Sequence, residues 1–268
     1  MTLLPEYGRP PVVEVAIGVQ FAPLAGLSVG HVGLYWATIY DSFPRVEEQT
    51  PIIHVVEPPH GPPETVIAFQ LTDKPGLPRT WFLDASGNRV IQVQRDRFLH
   101  NWRKVKPSDE YPRFPSVRDS FLRRWADFQK FLAFHKLEPQ LDQCELTYVN
   151  HIKNGEGWRT ITDLEKLFTT FSWQTRSSFL PNPDNVRWTL RFPLPENNGR
   201  LHVEVVPARV PPENDLVLRF SLTARGRPSG PVDSEAMAKW FSLAREWIVR
   251  GFSDLVDKET DALWEKKS

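Results

Sequence analysis

EVAIGVQF, residues 14–21, and ELTYVNHI, residues 145–152, decide the fold of this chain. In the first, Val15, Ile17, Val19 and Phe21, preceded by Val13, alternate with Glu14, Ala16, Gly18 and Gln20. Successive side chains of a strand point to opposite faces, so the alternation predicts a strand with one buried and one polar side. The second stretch lines up with the first in composition and pattern, and the segments after the two are also alike. Val12 to His135 and Cys144 to Ala262 both run as strand, helix, a block of short strands and a long amphipathic helix, which implies an internal duplication.

Working outward, Val32, Tyr35, Trp36, Ile39, Tyr40 and Phe43 recur at helical spacing and predict a helix ended by Pro44. Strands are expected at Ile52–Val56, Thr65–Leu71, Thr80–Leu83 and Arg89–Arg95, the last two joined by Ala85-Ser86-Gly87-Asn88 as a hairpin turn. Val117, Phe121, Trp125, Phe128 and Leu132 then mark a long helix starting at Pro115 or Ser116. In the second half Cys144–Ile152 leads, and Thr162 with Glu165 holds capping-box positions for a short helix. Strands are expected at Ser172–Phe179, Val186–Phe192, Leu201–Val206 and Leu216–Thr223, with Asn197-Asn198-Gly199 as a hairpin turn. Met237, Trp240, Phe241, Ala244, Trp247, Ile248, Gly251, Phe252 and Leu255 form the apolar stripe of a closing helix. Proline pairs such as Pro10-Pro11, Pro58-Pro59 and Pro211-Pro212 fall between these segments, where a lost donor does least harm. The segment KLEPQLD, residues 136–142, is the expected joint between a first α+β repeat, 1–140, and a second, 141–268. It is short, so the halves are expected to share one sheet.

Strand, helix, four strands and helix, taken twice, is the connectivity of the TATA-binding-protein-like architecture. That places the chain in the α+β class, with one curved antiparallel sheet, helices on one face and the other face open. The open face is expected to carry Glu14, Gln20, Gln92, Gln94, Thr147, Arg187, Thr189, Arg191, His202, Glu204 and Arg219. A merely solvated face shows the same alternation. The Gln and Arg content favours binding, because their paired planar donors suit amides, bases and carboxylates.

The 33 Lys and Arg equal the 33 Asp and Glu, so no global field draws in nucleic acid or an anionic membrane, and a charged partner must be met by a local patch. Cys144 is the single cysteine and forms no internal disulfide. No apolar run approaches the roughly 18 residues a bilayer span needs, and Met1 to Pro11 hold no export signal, which makes cytoplasm the expected location. Gly26-Leu27-Ser28-Val29-Gly30 has the form of a nucleophile elbow, but only one strand precedes it, so no parallel sheet is in place to support one. Ser28 reads instead as a residue near a helix start. The seven histidines show no metal-ligand spacing, and Gly155-Glu156-Gly157 lacks the remaining elements of a phosphate loop. Glu14, Glu145 and Glu204 could approach one another, but ion pairs with Arg187, Arg191 or Arg219 are the simpler use for them. No cofactor, metal or catalytic residue is assigned.

Residues 89–124 hold ten Lys and Arg against four Asp and Glu, with Phe98, Trp102 and Tyr111 interleaved. A basic loop over Arg95–Lys106 with aromatics would suit a phosphate backbone and stacked bases, or else the aromatics plug the core beneath it. Here Gly18-Val19-Gln20-Phe21, Gln92-Val93-Gln94-Arg95-Asp96-Arg97-Phe98, Asn101-Trp102-Arg103-Lys104, Tyr111-Pro112 and residues 145–152 resemble the signature of a sporadically distributed, uncharacterised bacterial family. The resemblance implies no activity. The family's patchy distribution is similar to that of horizontally exchanged defence and toxin–antitoxin modules.

The leading expectation is a non-enzymatic recognition protein whose macromolecular partner is a protein. Its contacts are expected at Gln20, Gln92, Gln94, Arg95, Arg97, Arg103, Lys104, Arg187, Arg191 and Arg219. The alternatives are nucleic-acid binding by the same saddle, and a carrier of a small apolar ligand under the C-terminal helix.

Overall fold

The computed structural model describes residues 3–58, 77–174, 179–230 and 233–267. Among the described residues nine strands form one fully antiparallel sheet. They are β1 (Val12–Phe21), β2 (Arg45–Gln49), β3 (Arg79–Leu83), β4 (Arg89–Gln94), β5 (Arg97–Arg103), β6 (Leu141–Lys153), β7 (Trp188–Pro193), β8 (Arg200–Val210) and β9 (Asp215–Gly226). Their spatial order is β2-β3-β4-β5-β1-β6-β9-β8-β7. The two strands of like sequence, β1 and β6, are neighbours at its centre, with Ile17 opposite Leu146 and Gly18 opposite Glu145. Five helices accompany the sheet among the described residues: α1 (Val29–Ile39), α2 (Phe114–Phe134), α3 (Leu164–Leu167), α4 (Ser234–Leu255) and α5 (Lys258–Leu263).

The apolar half of each alternation packs against helices. Tyr35 of α1 meets Phe82 and Phe98, Trp125 of α2 meets Phe21 and Phe98, and Phe252 of α4 stacks on Phe220. Val117, Phe121, Trp125, Phe128 and Leu132 are all buried along α2, each worth about 1.5–3 kcal/mol for the apolar surface removed from water. α2 and α4 touch through Phe121 and Phe241, so the long helices share one core. Gly18 is required where β1 meets β5, because a Cβ there would sit 2.5 Å from the Phe98 carbonyl oxygen.

Several expectations are corrected. Ile52–Val56 is not a strand, for its backbone runs across the sheet rather than along it. Thr65–Leu71 lies outside the described residues, and Ser172–Phe179 does so in part, its described ends being non-strand. The short-helix cap is Thr160 with Asp163, not Thr162 with Glu165: Asp163 Oδ2 accepts from the Thr160 amide at 2.9 Å and its hydroxyl at 3.0 Å. Residues 97–103 of the expected basic loop form β5, paired with both β1 and β4. Ser28 caps α1, with Oγ 2.8 Å from His31 Nδ1.

Candidate functional site: the polar face of the sheet

Antiparallel registers set the polar side chains in rows that cross the strands. Gln94 of β4 is opposite Arg97 of β5, Arg97 is opposite Gln20 of β1, and Gln20 is opposite Gln143 of β6. Beside this row runs a second, through Gln92, Leu99, Gly18, Glu145, Arg225 and Arg200. A third holds Asn101, Ala16, Thr147, Thr223, His202 and Arg191. The alternation thus brings the expected polar residues of seven strands onto one surface, as period two requires.

That surface is not bare over β4, β5, β1 and β6. Residues 51–57 cross it as a strap held by the first row. Gln94 Oε1 accepts the Ile52 N–H and Gln94 Nε2 donates to the Ile52 carbonyl, both at 2.8 Å. Arg97 Nη2 donates to the Ile53 carbonyl at 3.3 Å. Gln143 Nε2 donates to the Val55 carbonyl at 2.6 Å, and Gln143 Oε1 accepts the Glu57 N–H at 2.9 Å. A side-chain amide carries an acceptor oxygen and two donor protons in one plane, so it can close a two-point contact with the backbone of one residue or bridge two residues. Two side chains of the strap add further contacts. His54 lies between Asp96, at 2.7 Å, and Asp142, at 3.4 Å, while Glu57 meets Arg200 and His202 of β8.

Beneath the strap the polar groups bind one another. Gln20 Oε1 accepts from Arg97 and Gln143, each at 2.9 Å. Gln92 Oε1 accepts from Arg79 and Trp81, and its Nε2 donates to Asn101, which in turn donates to Glu14. Glu145 accepts from Arg225 at 2.7 Å, with Arg97 3.8 Å away. Burial pushes the Glu145 carboxyl up, but the guanidinium groups of Arg225 and Arg97 outweigh it and hold the group below the usual carboxylate range. Glu57 is lowered in the same way, burial being outweighed by His202, Arg225 and Arg200. Glu14 is the opposite case: burial outweighs Asn101, Arg103 and Arg79, and its carboxyl is raised.

The expected contact residues therefore divide. Gln20, Gln92, Gln94 and Arg97 are buried under or beside the strap. Arg103 is committed to the Gly87 carbonyl and lies over the Trp81 ring. Arg95 sits in the β4–β5 turn, where its carbonyl accepts the Leu24 N–H, and Lys104 is exposed after β5. Arg187 and Arg219 flank Glu204 at 3.2 and 3.0 Å, and Arg191 is exposed with no ion pair among the described residues. Phe98 and Trp102 are on the helix-covered side and buried, so neither can stack on a base. Gln143, Asn101, Arg200 and Arg225 join the face without having been expected there. Extending the β6 alternation two residues back from Glu145 finds Gln143, but nothing in the sequence shows that residues 51–57 lie over it.

The arrangement offers hydrogen-bond pairs and locked ion pairs rather than a free nucleophile beside a base. Among the described residues no cluster of three or more His, Cys, Asp or Glu could hold a metal ion, and no helix is long and apolar enough to cross a membrane. Comparison with protein-family models, curated proteins and solved structures finds no match.

Proposed function

We propose that this is a non-enzymatic recognition protein that binds an extended segment of a protein partner on the polar face of its sheet. The observation that carries the reading is the grip of Gln94, Arg97 and Gln143 on the main chain of residues 52–57. Side chains that hold a polypeptide by its peptide groups, largely without regard to its side chains, form a surface suited to extended chains. Beyond the strap, β9, β8 and β7 present the same kind of rows, half-exposed, with Arg187 and Arg219 on the carboxylate of Glu204 and the exposed Arg191 opposite His202. That local excess of positive charge favours an acidic segment.

The same reading takes the two halves as products of duplication in a TATA-binding-protein-like saddle. The strand order supports it: each half starts on a central strand, β1 or β6, and ends on the strand next to it, β5 or β9. The basic segment that favoured nucleic acid lends that alternative no stacking platform, since Phe98 and Trp102 face the core.

Selection of short unstructured peptides from a displayed random library tests the proposal. Acidic peptides should be enriched on the wild-type protein and lost on the R187Q/R191Q/R219Q variant, whose Tm should be unchanged. Enrichment of no peptide, or of peptides indifferent to the three substitutions, overturns it. So does salt-sensitive retention of single-stranded DNA in place of peptide.

A further inference from the structure

On the helix side of the sheet, away from the strap, the structure holds a cavity of about 280 Å³. Its floor is sheet, with Val12, Tyr148 and Leu222, and its walls are the start of α2 and the middle of α4. The segment Pro5–Pro11 forms the remaining side. That segment is fastened to residues 264–267 by the Gly8 N–H to the Glu265 carbonyl, the Arg9 N–H to the Trp264 carbonyl and the Lys267 N–H to the Glu6 carbonyl.

The lining is mostly apolar, yet two arginines belong to it. Arg245 of α4 lies over the Phe114 ring at 5.3 Å, and Arg113 precedes α2 with a φ of 67°, a left-handed conformation unusual for a side-chain-bearing residue. Neither forms an ion pair among the described residues. The one carboxylate of the lining, Glu6, is exposed and pairs with neither. The Tyr111 and Tyr148 hydroxyls, also in the lining, share a 2.8 Å hydrogen bond, in which only one of their two protons is used. Burial raises both phenols, so they stay neutral donors at physiological pH. The half-buried Arg245, the exposed Arg113 and a spare phenol proton beside an apolar space leave donors in excess of acceptors. The complement is a molecule with an apolar body and one anionic, planar acceptor end.

We infer that this cavity between α2 and α4 binds a small apolar monocarboxylic acid, its ring or chain among Phe114, Ile248 and Phe252 and its carboxylate at Arg245 and Arg113. The volume lies at the lower end of the range for small-molecule pockets, which restricts the body to one or two rings or a medium alkyl chain. The site is independent of the peptide-binding reading, because it lies on the opposite side of the sheet from the strap.

Titration calorimetry with 2-naphthoate and its neutral analogue 2-naphthamide tests the inference. The wild-type protein should bind the acid saturably, one per chain, and roughly tenfold or more tighter than the amide. R245Q should remove most of that preference while leaving the amide affinity unchanged, and I248W, which fills the cavity, should abolish binding of both with the fold retained by circular dichroism. Equal affinity for acid and amide, no saturable binding of either, or an acid preference that survives R245Q overturns the assignment. The acid-to-amide ratio on the unmodified protein decides the matter even where a variant does not fold.

Discussion

Over β4, β5, β1 and β6 the polar face presents amides buried beneath the chain's own strap, whereas over β9, β8 and β7 it presents arginine, glutamate and threonine that stay partly wet. The two regions come from the same period-two alternation, so the difference lies in side-chain chemistry. A neutral amide can be dehydrated at modest cost when each of its groups meets a peptide group, as Gln94 and Gln143 do. A guanidinium or carboxylate loses far more hydration and needs a well-placed counter-charge to recover it. Ions therefore dominate where water remains. Arg97, Asp96 and Glu57, all buried, and the nearly buried Glu145 depart from this, and each has a placed partner: Gln20 and Ile53 for Arg97, Gln94 for Asp96, Arg200 for Glu57 and Arg225 for Glu145.

Arg97→Ala tests the comparison most severely. It would leave the Ile53 carbonyl without a donor, remove one of two donors from Gln20 Oε1 and leave Glu145 with Arg225 alone, a loss expected at about 3 kcal/mol. Arg219→Ala, on the wet side, should cost less than about 1 kcal/mol. Equal midpoints in urea for the two variants would show that the two regions do not differ as described. Gln94→Ala comes next, at about 2 kcal/mol, since both contacts to the Ile52 backbone and one bond to Asp96 are lost together. Hydrogen exchange should then quicken at residues 51–57 while the sheet amides keep their protection.

The sheet was legible because alternation is a local property. Val15, Ile17 and Val19 reveal the buried side of β1 and Gln20 its polar side without knowledge of any neighbour. The helix stripes of α2 and α4 were legible for the same reason. The strap was not, because Ile52, Ile53, Val55 and Val56 carry strand-forming side chains, and only non-local bonds to Gln94 and Gln143 decide where their backbone goes. β5 was hidden by its composition. Arg97, His100, Asn101 and Arg103 read as a charged loop, yet Arg97 and Asn101 are buried polar groups that hydrogen-bond to Gln20 and Glu14 of β1, and His100 faces the core. The candidate face was therefore legible in membership but not in exposure.

Acid should separate the regions further. Glu57 and Glu145 are held below the usual carboxylate range, so their stabilisation is complete above the unfolded value of about 4.3 and is lost as pH falls through their lower folded values. Glu57 is the strap's tie to β8, so exchange at residues 51–57 should rise in that acid range before the sheet opens. His100 contributes its own acid dependence at higher pH. Burial, with Arg124, Arg89 and Arg123 nearby, pushes its imidazole down to about 3. The unfolded chain takes up that proton below about 6.5 while the folded one does not, which costs about 1.4 kcal/mol near pH 5.5. His100→Leu should flatten stability between roughly pH 6.5 and 5, and a decline left unchanged by it would assign that range to other groups.

The smallest effect belongs to the wet side. Arg187 and Arg219 both reach Glu204, at 3.2 and 3.0 Å, but Arg187 keeps 70% of its side chain exposed and Arg219 keeps 42%. Solvent screens such pairs, and ordering long side chains offsets much of the remaining attraction. A double-mutant cycle on Arg187 and Glu204 should give a coupling of about 0.5 kcal/mol or less, shrinking further with added salt. A coupling of about 3 kcal/mol or more, the size expected of a dehydrated ion pair, would mean that β7 and β8 are dehydrated too. The region proposed for an acidic segment would then already be closed.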